Sequence, residues 1–358
     1  MESSIIKELE ITDNILNINT KITENKKEDE MEDFFATTIS DIEEFDNDAW
    51  NKGNGFVMPH YPYITEKLEG LDSGLYLFAG KPNHGKSALM LNMMYDLCSN
   101  EENNLFGIYY SLDDSKKEII PRIIAMDQRI PISVASKPKR YQNMIDNGEE
   151  GSYQYVELLE KRKIGLENLK NNVNKIKIED STKIETSDDI YNHLKKLITY
   201  LKAINPNYKI IVAIDSINDI RLPYKPKDND ILAEIARVVK RWSVEFDCVI
   251  FSSTHIRKLN GNRRPSIEDL KDSSVLVYEA SVVFIIFNDV SENKQSAKIF
   301  QTNPNIDYKL PVLEIDWAKN KKSSYKGRSF CYFSPEFSKT IECDKEAIKR
   351  YDALIYSA

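Results

Sequence analysis

Residues 74–94 read GLYLFAGKPNHGKSALMLNMM. A short apolar run, Leu75–Ala79, predicts a strand, and the Met/Leu-rich pattern over Lys86–Ser99 predicts a helix. Between them Gly80, Gly85, Lys86 and Ser87 stand at the G-x-x-x-x-G-K-[ST] spacing of a phosphate loop. The chemistry needs these residue types in this order. Glycines let a tight loop turn its backbone N–H groups toward a phosphate. The lysine reaches the β/γ-phosphates, and the serine hydroxyl ligates Mg²⁺. A glycine-rich turn that only capped a helix would not require Lys86. The stretch Gly80, Lys81, Pro82, Asn83, His84, Gly85, Lys86, Ser87 and Ala88 is therefore the candidate ATP site.

A nucleotide site also needs acid. KIIVAIDSIND (209–219) supplies an apolar strand that ends in Asp215, placed to hold the Mg²⁺ shell, with Asp219 as the fallback. GIYYSLDDS (107–115) ends a second strand in Asp113 and Asp114. Asp113 is preferred to position the attacking water, and Asp114 or Ser115 to cap the helix from Lys116. CVIFSSTHIRK (248–258) ends a third strand in Thr254 and His255, polar groups able to contact the γ-phosphate. The loop that follows carries Arg257, Lys258, Arg263, Arg264 and Lys271, which suits phosphodiester contacts.

The rest of the chain supports one architecture. Candidate strands Leu75–Ala79, Phe106–Ser111, Ile176–Ile178, Ile210–Asp215, Cys248–Ser252 and Ser281–Phe287 alternate with helical patterns. The helices are expected at Lys86–Ser99, Lys116–Asp127, Tyr153–Asn171, Ser187–Ile204 and Ile231–Phe246. Such alternation predicts an α/β fold with a mostly parallel sheet flanked by helices. IIVAID reads as a central strand buried on both faces. Residues 1–30 are a polar, acidic arm. Residues 31–52 place Phe34, Phe35, Ile39, Ile42 and Phe45 at helical spacing before a Gly/Asn break, which predicts an amphipathic helix and hinge. The main domain is expected over 53–340, with a helical tail over 341–358.

Of 358 residues, 41% are hydrophobic and 30% charged, which excludes wholesale disorder. The net charge of −8 is unevenly spread. Residues 1–50 hold 15 Asp/Glu against 4 Lys, a balance of −11, so the remaining 45 Lys/Arg and 42 Asp/Glu balance at +3. Overall acidity thus does not exclude nucleic acid. No apolar stretch is long enough to span a membrane, and the acidic N-terminus lacks the form of a secretory signal. Cys98, Cys248, Cys331 and Cys343 lie far apart with no zinc spacing, as expected of thiols in a reducing cytoplasm.

From about Phe56 to Phe333, these segments resemble the C-terminal ATPase domain of DnaB-type replicative helicases and the helicase half of phage primase-helicases. YYSLDDSKKEIIPRIIAM resembles their FSLEM segment, and RRPSIEDLKDSS their RP…DLR-S/E-SG loop. His255 matches the histidine of the phage branch. The resemblance implies a RecA-like P-loop NTPase with an N-terminal linker helix, six subunits in a ring, ATP and Mg²⁺ between neighbours, and single-stranded DNA in the pore. It places Asp113 as the water-positioning carboxylate, and Lys271, Asp272, Ser273 and Ser274 on the DNA loop. Arg257, Arg263 and Arg264 join that loop as DNA-binding candidates by their basic character. It places Lys319 and Lys321, in EIDWAKNKKSSYKGRSF, as the pair completing a neighbour's ATP site. A primase and a helicase loader are the further implied partners, in a bacterial host cytoplasm if the chain is phage-encoded.

The sequence departs from the family pattern at several of these positions. Asp113 stands for the catalytic Glu, one methylene shorter, and Lys321 for the finger Arg. Ser274 replaces the Gly of the DNA loop, and Tyr278 and Ser281 replace a Gln and an Asp after it. Two other readings stand beside the helicase, the first motivated by Asp113 and Lys321 and the second by the shared fold. One is a weakly hydrolysing ATP-binding assembly or loading factor for replication. The other is a recombination mediator that forms filaments on DNA.

Overall fold

The computed structural model describes residues 37–47, 49–50, 55–172, 175–182, 184–226, 230–259, 263–303 and 306–356. They fall in two units, divided after Gly55. Helix α1 (37–47) belongs to the first, with Ile39, Ile42 and Phe45 exposed on it. Phe34 and Phe35, expected on the same face, lie outside the described residues.

The second unit, Phe56–Ala358, is built on one sheet. Its strands are β1 (Gly74–Gly80), β2 (Leu105–Ser111), β3 (Ile176–Asp180), β4 (Lys209–Asp215), β5 (Val249–His255), β6 (Val282–Asn288), β7 (Phe300–Asn303), β8 (Ile306–Asn320), β9 (Arg328–Ser334) and β10 (Lys339–Glu342). The order is β10-β9-β8-β6-β1-β5-β4-β2-β3, with β7 paired to β8. From β6 to β3 all pairs are parallel, while β8, β9 and β10 add antiparallel strands at one end.

Helices cover both faces, and the strand sequence shows why. In β1, Tyr76 and Phe78 point into one core with Leu89, Met90 and Met93, while Leu75, Leu77 and Ala79 point into the other with Ile235, Val239 and Leu276. Every residue of β1 is buried, as a strand with helices on both sides must be. The helices are α2 (Pro62–Leu68), α3 (Lys86–Ser99), α4 (Lys116–Gln128), α5 (Ile132–Ser136), α6 (Pro138–Asp146), α7 (Gln154–Asn171), α8 (Ser187–Ile204), α9 (Ile231–Glu245), α10 (Ser274–Glu279), α11 (Asp289–Asn293) and α12 (Lys345–Tyr356). Capping boxes start α4 at Ser115 and α8 at Thr186.

The six expected strands and five expected helices are present within three residues at each end. The antiparallel extension adds four strands to that set. Its β10 runs through residue 340, and α12 packs Ala347, Ile348 and Tyr351 against Val312 of β8 and Phe330 of β9, so the tail continues the sheet's core.

Candidate nucleotide site

The parallel strands end on one edge, and Lys86, Ser87, Asp113, Asp215 and His255 line one cleft there. The loop after β1 turns through Asn83 (φ 61°) and Gly85 (φ 90°) into α3. A Cβ on Gly80 would stand 2.6 Å from the Ile286 carbonyl, and one on Gly85 would press on Leu313 and Phe333. The backbone approach thus demands glycine at Gly80, and the left-handed backbone favours it at Gly85. The result is an open cleft of about 640 Å³ lined by Gly85, Lys86, Ser87, Asp113, Asp215 and His255, among others.

Lys86 is buried, and its Nζ donates to the Lys81 carbonyl at 2.9 Å. Burial lowers its pKa to about 8, and the charge of Asp215 opposes that fall. Asp215 ends β4 between two neighbouring strands, and each supplies a hydroxyl. Tyr109 of β2 donates to Oδ2 at 2.8 Å, and Ser253 of β5 donates to Oδ1. Sequence reading missed both, since Tyr109 sits mid-strand with nothing to mark it. Asp219, the fallback acid, accepts the Ser216 hydroxyl and backbone N–H.

Asp113 is exposed at the cleft, two residues beyond β2. Its neighbour Asp114 pairs with Arg122 at 2.6 Å, and Ser115 makes the helix cap. Of the two acids, Asp114 is the paired one, and Asp113 lines the cleft with no ion-pair partner among the described residues. His255 lies at the end of β5 beside Gly80 in the register, its backbone N–H bonded to the Asn218 side chain. Burial, followed by the charge of Lys86, depresses its pKa. Thr254 donates to the same Asn218 oxygen at 2.9 Å.

The site fits a nucleotide with its divalent cation. The loop offers backbone donors, an ammonium and a hydroxyl, and Asp215 offers a carboxylate already oriented by two hydroxyls. No cluster of three or more His, Cys, Asp or Glu side chains able to hold a metal occurs among the described residues.

The basic residues of the expected DNA loop take different positions. Arg263 makes two bonds to Asp269, at 2.8 and 2.5 Å. Arg264 is drawn inward: its Nε lies 2.7 Å from buried Glu314, and its guanidinium covers the Phe287 ring. Arg257 donates to the Glu268 carbonyl at 3.2 Å. Lys271, Asp272 and Ser273 lie in a 3₁₀ helix over Ile267–Ser273, and their side chains are outside the described residues. Ser274 opens α10.

Lys319 and Lys321 lie at the far edge of the sheet. In the β6–β8 register Lys319 faces Val283, whereas Leu313 faces Asn288 at the cleft end. Lys319 Nζ donates to the carbonyls of Val277 (2.6 Å) and Tyr278 (2.8 Å), at the end of α10. Lys321 Nζ lies 3.5 Å from the same Tyr278 oxygen. The two lysines are thus remote from the cleft of this chain.

Residues 57–339 match the family of the DnaB-like helicase C terminal domain, and the chain belongs to it. It is 23% identical over 254 residues to a probable replicative DNA helicase of Trieres chinensis, covering 70% of this chain and 49% of that protein. It is 24% identical over 264 residues to the replicative DNA helicase DnaB of Mycoplasma pneumoniae, covering 71% and 50%. The chain therefore spans about half the length of the curated relatives it matches. A solved ATPase domain superposes with a TM-score of 0.66 at 18% identity, covering 86% of this chain and 98% of that one. A DnaB-like replicative helicase, solved in work on its interactions with primase, gives 0.65 at 19%, covering 82% and 64%. The fold is RecA-like, as the resemblance implied.

Proposed function

We propose that this chain is an ATP-dependent replicative DNA helicase of the DnaB type, translocating on single-stranded DNA. The observation that carries the reading is the pairing of a phosphate loop with Asp215 in one open cleft, within a domain of this family. Lys86 and the loop N–H groups bind the phosphates, and Ser87 and Asp215 hold the Mg²⁺ shell. The bound cation supplies charge neutralisation at the β- and γ-phosphates. Asp113 positions the attacking water by accepting its O–H, and His255 contacts the γ-phosphate end.

The remoteness of Lys319 and Lys321 from their own cleft supports action on a neighbouring subunit. That requires a ring, for which six subunits is the family expectation. The segment from Arg257 through Ser274 faces DNA, but Arg264 serves the fold there rather than the strand. Residues 31–52 act as the linker between subunits, 1–30 as an acidic arm, and 53–340 with the tail 341–358 as the motor. A phage-type origin fits His255 at its position, and primase and a loader are the proposed partners.

A weakly hydrolysing assembly factor is the second reading, favoured by the short carboxylate of Asp113 and by lysine at 321. Strand displacement on a forked duplex, read beside electron micrographs, tests the proposal. ATP-dependent unwinding by closed rings is the expected result. Filaments on DNA without unwinding would overturn it.

A further inference from the structure

The phosphate loop leaves its middle positions free in sequence, yet two of them here are held by one distant residue. Glu292, on α11 just after β6, brings Oε1 within 2.5 Å of Lys81 Nζ and Oε2 within 3.6 Å of His84 Nε2. The side chains of Glu292 and His84 retain 15% and 3% of their exposure, so the contact is shielded from solvent. The other ring nitrogen of His84, Nδ1, accepts the Asn288 backbone N–H at 3.3 Å, and the Phe287 ring meets the imidazole edge-on. Accepting at Nδ1 leaves the proton on Nε2, directed to Glu292. Burial holds the ring neutral, with a pKa lowered to about 4. One carboxylate therefore spans the second and fifth residues of the loop and ties both to the turn after β6.

We propose that Glu292 is a positioning residue of the nucleotide site, clamping the phosphate loop in its binding form through Lys81 and His84. The inference rests on the nucleotide-site reading above. Its physical content is preorganisation: the loop's N–H groups are already aimed, so binding does not have to order them. Electrostatics alone predicts the opposite sign. A carboxylate beside a polyanion site should repel phosphate, so removing its charge should tighten binding.

Binding of a fluorescent N-methylanthraniloyl ATP in Mg²⁺ separates the two. With the clamp, Glu292→Gln weakens binding about tenfold and raises KM for ATP while kcat stays within about twofold, with Tm unchanged. In a Lys81→Met background, the same substitution has less than half that effect on a logarithmic scale, because one arm of the clamp is already gone. Glu292→Asp keeps the charge but is too short to span both partners, so it falls between the two. Unchanged or tighter binding in Glu292→Gln, full affinity in Glu292→Asp, or an equal effect with and without Lys81 would each overturn the clamp. Failure of the unsubstituted protein to bind the probe would instead overturn the nucleotide-site reading itself.

Discussion

The Tyr109 hydroxyl donates to Asp215 Oδ2 at 2.8 Å, across the β2–β4 pair and inside the core. With Ser253 on the other oxygen, both Asp215 oxygens accept a hydroxyl, which orients the carboxylate at the cleft. Removing a donor of this kind from behind a metal-shell carboxylate lowers metal affinity by roughly tenfold or more. Tyr109→Phe should therefore raise the Mg²⁺ concentration needed for nucleotide binding by about that factor. It should also cost on the order of 1–3 kcal/mol of stability, since a buried carboxylate loses a partner. A Mg²⁺ titration of nucleotide binding, with a denaturant melt beside it, checks both.

The position of Lys321, remote from its own cleft, makes a second prediction about mixtures. Lys86→Ala subunits keep a good Lys321, and Lys321→Ala subunits keep a good phosphate loop. Each variant alone should hydrolyse little ATP. Mixed and reassembled, they create interfaces in which both groups are intact, and activity should return in part. Absence of any recovery in verified mixed assemblies would place Lys321 outside the neighbour's site.

Lys319 sets a pH limit. Burial, then repulsion from Lys321, lowers its pKa from 10.5 to about 8. The ammonium is the form that can act on phosphate, so hydrolysis should fall as pH rises through about 8. The fold itself responds with the opposite sign. A lysine whose folded pKa is depressed binds its proton more weakly than in the unfolded chain, so its contribution to stability rises between about 8 and 10.5. Loss of activity in that window is thus separable from unfolding by a parallel melt. Lys319→Arg stays charged throughout and should move the fall to higher pH. Identical profiles for the two proteins would count against Lys319.

Arg264 separates folding from DNA binding. Its partner Glu314 is buried, and burial raises the carboxyl pKa even with Arg264 beside it. Arg264→Ala leaves that carboxylate to Arg328, whose Nε is 3.7 Å away. A loss of roughly 3 kcal/mol is expected, at the low end for breaking a buried pair because Arg328 remains. Thermal melts should show this loss. Arg264→Met, which cannot pair either, should match it. Full stability with weakened DNA binding would return Arg264 to the DNA surface.

Much of this was legible in the sequence because local signals agreed with the fold. The phosphate loop, the strand ending in Asp215 and the helix at Ser187–Ile204 each carry their own pattern, and each element forms where that pattern places it. The antiparallel strands β7–β10 gave a weaker signal. In β8, buried residues such as Leu313 and Trp317 alternate irregularly with charged Glu314 and Asp316, whose arginine partners Arg264 and Arg328 lie outside that strand. The site showed the same limit. Lys86, Ser87 and Asp113 stand in recognisable spacing, whereas Tyr109, Ser253 and Glu292 act through contacts 38 to 211 residues apart in the chain. Arg264 looked like surface charge for the same reason, since its partner lies 50 residues away.

The rate of ATP hydrolysis with and without single-stranded DNA, measured beside Lys86→Ala, decides whether this protein is a DNA-coupled motor. A rate that DNA stimulates, and that disappears in the variant, is the predicted result. A flat rate near zero, in a protein that still binds ATP, would contradict the motor and leave the assembly-factor reading in its place.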